Sequence, residues 1–243
     1  MRRLLIFVKE PVPGQVKTRL ATEIGRVAAA PRHFLGSEEG AASVGAMAAC
    51  HVYRRCVERI LERLVALRDE ITLCVEPAEA TGRIQAWLGS AWPVQPQRGA
   101  TLGERLADAT DRTFTEGVQR VVVIGTDSPW IDNALIEEAF SAMERADLVL
   151  GPAADGGYYL VGLAKPAPEL FRGIPWSTDQ VLNQTLAAAR RLGLVAAPLH
   201  PGYDIDRLED VRRWMDNDPC HGVTVPLSTT RGTTPRMRRP AHA

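Results

Sequence analysis

The run Val121-Val-Val-Ile-Gly-Thr-Asp-Ser-Pro129 places one acid, Asp127, where a strand should end. Four β-branched residues without polar alternation read as a strand covered on both faces, as in a parallel sheet. Gly125, Ser128 and Pro129 stop it. Open α/β sheets take ligands in the crevice beyond the carboxyl ends of their strands. A carboxylate there can share Mg²⁺ (or Mn²⁺) with a substrate phosphate. Asp and Ser also cap turns, so the run by itself supports both a metal-binding and a capping Asp127.

The first βα connection, Phe7-Val-Lys-Glu-Pro-Val-Pro-Gly-Gln-Val-Lys-Thr-Arg-Leu20, offers a second piece of chemistry. A loop between a strand and a helix start is a common phosphate site. The spacing matches neither a Walker A loop nor a Gly-x-Gly-x-x-Gly fingerprint. Lys9, Lys17 and Arg19 nevertheless supply positive charge suited to a polyphosphate, and Gly14 lets the backbone approach a ligand. A solvated basic loop is the competing reading.

Three further motifs lie downstream. Leu150-Gly-Pro-Ala-Ala-Asp-Gly-Gly-Tyr-Tyr-Leu-Val-Gly162 is either a plain hairpin turn or a platform where Asp155 and two glycines admit an acceptor. Ile174-Pro-Trp-Ser-Thr178 sets Trp176 before an expected helix N-cap at Ser177, where anions are attracted, though both residues could serve packing and capping alone. Tyr203-Asp-Ile-Asp206 brings two carboxylates to a helix start, one free to cap while the other meets a metal.

The elements that must position these residues alternate between strand and helix patterns, the mark of βαβ units. Strands are expected at Leu4–Val8, Ile71–Val75, Val121–Ile124, Leu148–Leu150, Tyr158–Val161 and Leu194–Ala197. Leu135, Ile136, Ala139, Phe140 and Met143 form one helical face capped by Asp132. Ser177-Thr-Asp-Gln180 fits a capping box for a helix that ends at Gly193. Another helix follows Asp206, and Val52–Leu67 also reads as helical. Residues 25–45, rich in Ala and Gly, read as an irregular insertion.

The 243 residues fit one domain over 1–218, followed by a basic tail over 219–243 expected to be disordered. Net charge is zero; the tail holds four arginines and no acid, leaving residues 1–218 at −4, which argues against nucleic acid as a partner. No apolar stretch is long enough to cross a bilayer, and the apolar core of the N-terminus, about five residues, is too short for a signal peptide. A cytoplasmic protein without a membrane partner is the expectation. Cys50, Cys56, Cys74 and Cys220 show no zinc-site spacing, and Cys74 reads as a core residue.

Taken together, Lys9-x-Pro11-x-x-Gly14-x-Val-Lys-Thr-Arg-Leu20, Gly125-Thr-Asp-Ser-Pro129, Gly151-Pro-x-x-Asp-Gly-Gly-Tyr-Tyr-Leu-x-Gly-Leu163, Ile174-Pro-Trp-Ser-Thr178 and Asp204-Ile-Asp206 resemble the DUF2064 family of the GT-A (nucleotide-diphospho-sugar transferase) superfamily over residues 3–216. The first motif is also similar to the loop of the guanylyltransferases that activate 2-phospholactate. The resemblance implies a three-layer α/β/α sandwich with a mostly parallel mixed sheet. It implies that Lys17 and Arg19 face nucleotide phosphates and act in catalysis with Asp155, and that Lys9, Pro11, Gly14, Thr18, Thr126 and Ser128 surround the nucleotide. Gly156, Gly157, Tyr158, Trp176, Ser177 and Thr178 would meet the acceptor. Asp127 takes the metal role of the superfamily's Asp-x-Asp. The second acid of that motif is missing here, so Asp206, then Asp204, is the candidate second ligand.

Three functions follow as expectations. The first is nucleotidyl transfer from a nucleoside triphosphate to a small phosphorylated or acidic acceptor. The second is glycosyl transfer from a nucleotide sugar, with Asp155 orienting the acceptor hydroxyl. The third is an inactive nucleotide-binding homologue. The cationic first loop suits a triphosphate better than a diphosphate sugar.

Overall fold

The computed structural model describes residues 1–29 and 38–218. Seven strands, β1 (Arg2–Lys9), β2 (Ile71–Glu76), β3 (Val94–Pro96), β4 (Arg120–Ile124), β5 (Leu148–Pro152), β6 (Tyr158–Leu163) and β7 (Ala196–Pro198), form one sheet in the order β3-β2-β1-β4-β6-β5-β7. Only β6 runs antiparallel to its neighbours β4 and β5. The sheet is thus mostly parallel and mixed, as expected.

Among the described residues, seven α-helices accompany the sheet: α1 (Thr18–Ala29), α2 (Glu38–Arg63), α3 (Thr81–Leu88), α4 (Leu102–Thr115), α5 (Asn133–Ala142), α6 (Val181–Arg191) and α7 (Leu208–Asn217). Strand β4 shows why both faces need cover. Val122 and Ile124 join one core with Tyr53, Val57 and Ile60 of α2 and Ile136 and Phe140 of α5. Val121 and Val123 join the other, with Leu106 and Ala109 of α4 and Ala188 of α6. All four are fully buried or nearly so, which accounts for the unbroken β-branched run. A third cluster packs Leu20, Ile24, Val52 and Cys56 against Ile205, Val211 and Trp214, seating α7 on α1 and α2.

Asp132 caps α5 as expected, accepting from the Leu135 amide at 3.0 Å. Two local expectations are corrected. Residues 25–29 and 38–45 are helical rather than irregular, and 30–37 fall outside the described residues. The two helices meet through small residues: a β-carbon on Gly45 would strike Ala21 O, and one on Gly25 would lie 3.2 Å from Ala41 O. Close approach replaces the large apolar stripe that marks most helices. The capping box at Ser177 is also absent. Ser177 has a left-handed φ of 65°, and α6 starts only after Gln180, which makes no side-chain cap. The tail beyond 218 lies outside the described residues. No helix among those described is long and apolar enough to cross a membrane.

Candidate active site

Strand order reverses between β1, whose sequence neighbours extend toward β3, and β4, which leads toward β7. This is the switch point at which open α/β sheets bind ligands. A cleft of about 510 Å³ opens there.

Lys17 is the pin of the site. Its Nζ donates to Asp127 Oδ1 at 2.7 Å and to Ile205 O at 2.5 Å, and its side chain is 2% exposed. Burial alone would lower the ammonium pKa, but Asp127 outweighs it and holds Lys17 above the ordinary lysine value. The Ile205 amide donates to Asp127 O at 2.7 Å, so β4's exit and the 203–206 segment are stitched from both sides. Lys17 itself has a left-handed φ of 47°. Among the described residues it and Ser177 are the only non-glycines in that region, a cost tolerated mostly where surrounding contacts fix the backbone.

Asp127, 48% exposed, lines the cleft with Asp204 and Asp206. Ser128 Oγ donates to Asp204 Oδ1 at 2.5 Å. Burial, reinforced by the charge of Asp127, pushes Asp204 up to about 7. Burial and then Asp127 also raise Asp206, against Lys17 and Arg19, which lower it. Arg19 Nη1 reaches Asp206 Oδ2 at 3.3 Å from an exposed position. Carboxylates that resist ionising beside one another are a donor set of hard oxygens that fits a hard cation. Among the described residues, no group of three His, Cys, Asp or Glu side chains could hold an ion unaided. Asp127 and Asp206 would therefore need substrate oxygens or water to complete a Mg²⁺ shell, the usual habit of that ion.

Another wall comes from the β5–β6 hairpin, which pairs with the segment before Asp204 through the Ala154 amide and Gly202 O, and from the loop before α6. Asp155 Oδ1 accepts from the Gly157 amide at 2.9 Å, which closes the hairpin turn, and both residues line the cleft. Gly156, with φ 88°, leaves room for Asp179 O, and the Leu182 amide donates to Gly156 O at 2.9 Å. The two loops are thereby locked. Tyr158 and Trp176 meet edge to face with centroids 6.3 Å apart.

The cleft thus gathers Arg19, Asp127, Ser128, Asp155, Gly157, Tyr158, Trp176, Ser177, Thr178, Asp204 and Asp206 of the residues expected from sequence. Others lie elsewhere. Lys17 does not line the cleft but holds Asp127. Gly156 shapes the turn from behind. The Lys9 ammonium sits 3.8 Å from Glu76. Pro11 lines a separate cavity of about 180 Å³, and Gly14 and Thr18 line a groove between α1 and α2. The cause is local: the chain leaving β1 continues along β2, through the Glu10 amide to Glu76 O, before Gly14 turns it back. Thr126 is buried, donating to the Tyr53 hydroxyl at 3.3 Å. Cys50, Cys56 and Cys74 are buried free thiols, and burial pushes Cys56 up to about 12, far from a thiolate nucleophile.

Sequence reasoning missed Leu102 and Leu106 of α4, Asp179 and Tyr53. Thr101 and Glu104 form a full capping box, a legible pattern that would have announced α4. The Tyr53 hydroxyl accepts from the Lys9 amide at 2.7 Å and donates to Lys9 O at 3.1 Å. Strand β4 pairs with β1 only as far as Ile6↔Ile124, and the Tyr53 hydroxyl takes the ladder groups at Lys9 beyond it. No spacing in the sequence signals that contact.

Fold and site together define a protein of the nucleotide-diphospho-sugar transferase fold. A structure from Desulfovibrio desulfuricans G20, provisionally named a nucleotide-diphospho-sugar transferase, is 32% identical, covering 90% of this chain and 88% of its own, with a TM-score of 0.77. The family model for uncharacterized proteins conserved in bacteria (DUF2064) matches residues 61–178. The chain belongs to the DUF2064 family.

More distant structures share the fold. CMP:2-keto-3-deoxy-manno-octonic acid synthetase complexed with CTP is 11% identical, with 89% of this chain and 98% of that chain covered and a TM-score of 0.52. The 4-diphosphocytidyl-2C-methyl-D-erythritol synthase of Anaerococcus prevotii is 12% identical, with 88% and 95% covered and a TM-score of 0.53. No curated protein matches the chain.

Proposed function

We propose that the chain is a nucleotide-using transferase that moves a nucleotidyl group from a nucleoside triphosphate to a small acceptor. The observation that carries this is the triangle of Lys17 Nζ, Asp127 Oδ1 and Ile205 O at the switch point, with Asp206 and Arg19 beside it. Lys17 fixes the Asp127 carboxylate facing the cleft. Arg19, at the start of α1 and exposed, would neutralise phosphate oxygens, with help from the helix dipole. Asp127 and Asp206 would hold Mg²⁺, which when bound supplies neutralisation of charge on the transferring phosphoryl group. Asp155, which lines the same cleft, would orient the acceptor hydroxyl and take its proton. Tyr158 and Trp176, edge to face on the cleft wall, would give the acceptor an apolar surface.

Glycosyl transfer from a nucleotide sugar is the second reading. The name of the 32%-identical relative favours it. Incubation with Mg²⁺, acceptors and either nucleoside triphosphates or nucleotide sugars separates the two. Pyrophosphate release marks the first and nucleoside diphosphate release the second. Nucleotide binding without either product would mark an inactive homologue.

A further inference from the structure

We infer that the acceptor is a neutral or cationic molecule with an apolar ring face, and not an anion; the inference rests on the transferase reading above. The acceptor half of the cleft has an aromatic wall of Tyr158 and Trp176. Leu102, the first residue of α4 and 43% exposed, lines the same cleft, as does the buried Leu106. An exposed apolar patch inside a concave cleft is a surface for a flat apolar body.

The charge around that surface is one-sided. Five carboxylates line the cleft (Asp127, Asp155, Asp179, Asp204 and Asp206), and Arg19 is the single cationic side chain among its lining residues. Arg19 is already engaged with Asp206, and Lys17 is spent on Asp127. Asp155 and Asp179 have no cationic partner among the described residues. Asp155 accepts from a backbone amide and Asp179 Oδ1 accepts from Gln180 Nε2 at 3.1 Å. The lock between Gly156 and Asp179 keeps these two acids on one rim. A phosphorylated or carboxylate acceptor on this side would meet like charge with no free cationic side chain among the lining residues to receive it, and a bound triphosphate adds more of the same sign. Such juxtaposition is how sites reject wrong partners. An ammonium group at the Asp155–Asp179 rim, with a ring against Trp176, meets complementary surfaces at both ends. The expected phosphorylated or acidic acceptor does not suit this cleft.

Three phenols of one size test this on the full chain: tyramine (cationic), tyrosol (neutral) and 4-hydroxyphenylacetate (anionic). Their affinities are read by saturation-transfer NMR, without nucleotide. Tyramine is expected to bind at least about tenfold tighter than 4-hydroxyphenylacetate, with tyrosol between. Asp155→Asn/Asp179→Asn should bring the three within about twofold, and Trp176→Ala should weaken all three by a common factor. An anion that binds as tightly as tyramine, no binding by any of the three, or a ranking unchanged in the double variant overturns the inference. The thermal shift with nucleoside triphosphate and Mg²⁺ is measured separately. Its absence would sink the transferase reading whichever way the phenols rank.

Discussion

Lys17 Nζ lies 2.7 Å from Asp127 Oδ1, joining residues 110 apart in sequence, and the same nitrogen holds Ile205 O, 188 residues away. One buried ammonium therefore sets the geometry of the loop after β4 and of the acidic segment before α7. Lys17→Ala leaves the Ile205 carbonyl without its donor and Asp127 without its anchor. A stability loss of about 1–3 kcal/mol is expected, with turnover falling about 10²–10³-fold. Lys17→Arg should not rescue turnover, because at a side chain 2% exposed the larger, planar guanidinium must displace packed neighbours to reach Asp127 and Ile205 O. Urea titration and product assays on the three proteins check this.

Tyr53→Phe removes one oxygen that serves the Lys9 amide, the Lys9 carbonyl and the Thr126 hydroxyl. A loss of about 1–3 kcal/mol is expected. Turnover should fall more than nucleotide affinity, since the hydroxyl positions the loop carrying Asp127 rather than any phosphate contact. A thermal melt paired with a kcat and KM measurement reads both effects.

Asp204 titrates near 7 in the folded chain, against an ordinary value of 3.8, because burial and Asp127 disfavour its charge. The folded state thus holds this proton more tightly than the unfolded state. The resulting stability is full below about pH 4 and is lost as pH rises toward 7. Asp204→Asn has no such proton, so its unfolding free energy should fall less than the wild type's over that window. Urea titrations at intervals from pH 4 to 8 in the absence of divalent metal would show the difference; parallel slopes would refute it.

The parts of this fold written in large apolar side chains were legible. The run Val121–Ile124 gave β4 and its cover on both faces, and Asp132 with Leu135, Ile136 and Ala139 gave α5. Other parts are written in small or polar residues. The buried side of α4 follows helical spacing, but Leu106 is its one large apolar residue among Gly103, Ala109, Thr110 and Thr113. Strand β3 is three half-buried residues at the sheet edge ending in Pro96. Of the site, the acids and Arg19 converge as their motifs suggested. What the motifs could not show was that Lys17 would be buried and committed to Asp127, because burial there depends on Ile205 and Cys56 arriving from distant segments.

Gly156 and Gly14 both have left-handed φ, 88° and 81°, but differ in surroundings. A β-carbon on Gly156 meets the Asp179 backbone, whereas one on Gly14 meets nothing within 4 Å. Gly14→Ala should cost about 1 kcal/mol from backbone strain alone, and Gly156→Ala more, up to about 3 kcal/mol. Only Gly156→Ala should alter acceptor turnover, by unlocking Asp155 from Asp179. Equal melting temperatures for the two variants would contradict the lock.

Asp127 decides whether the cleft is a nucleotide–metal site. Asp127→Asn leaves the Lys17 ammonium buried without its counter-charge, so Lys17→Met/Asp127→Asn, which removes both charges, serves as the stable companion. The measurement is the thermal shift given by nucleoside triphosphates with Mg²⁺, each protein read from its own ligand-free melting temperature. Wild type should gain about 2.7 kcal/mol at a ligand concentration of about one hundred times Kd. Both variants should lose most of that gain and all product release. A shift and a product yield equal to wild type in either variant would contradict the assignment of Asp127 and, with it, the proposed chemistry of the cleft.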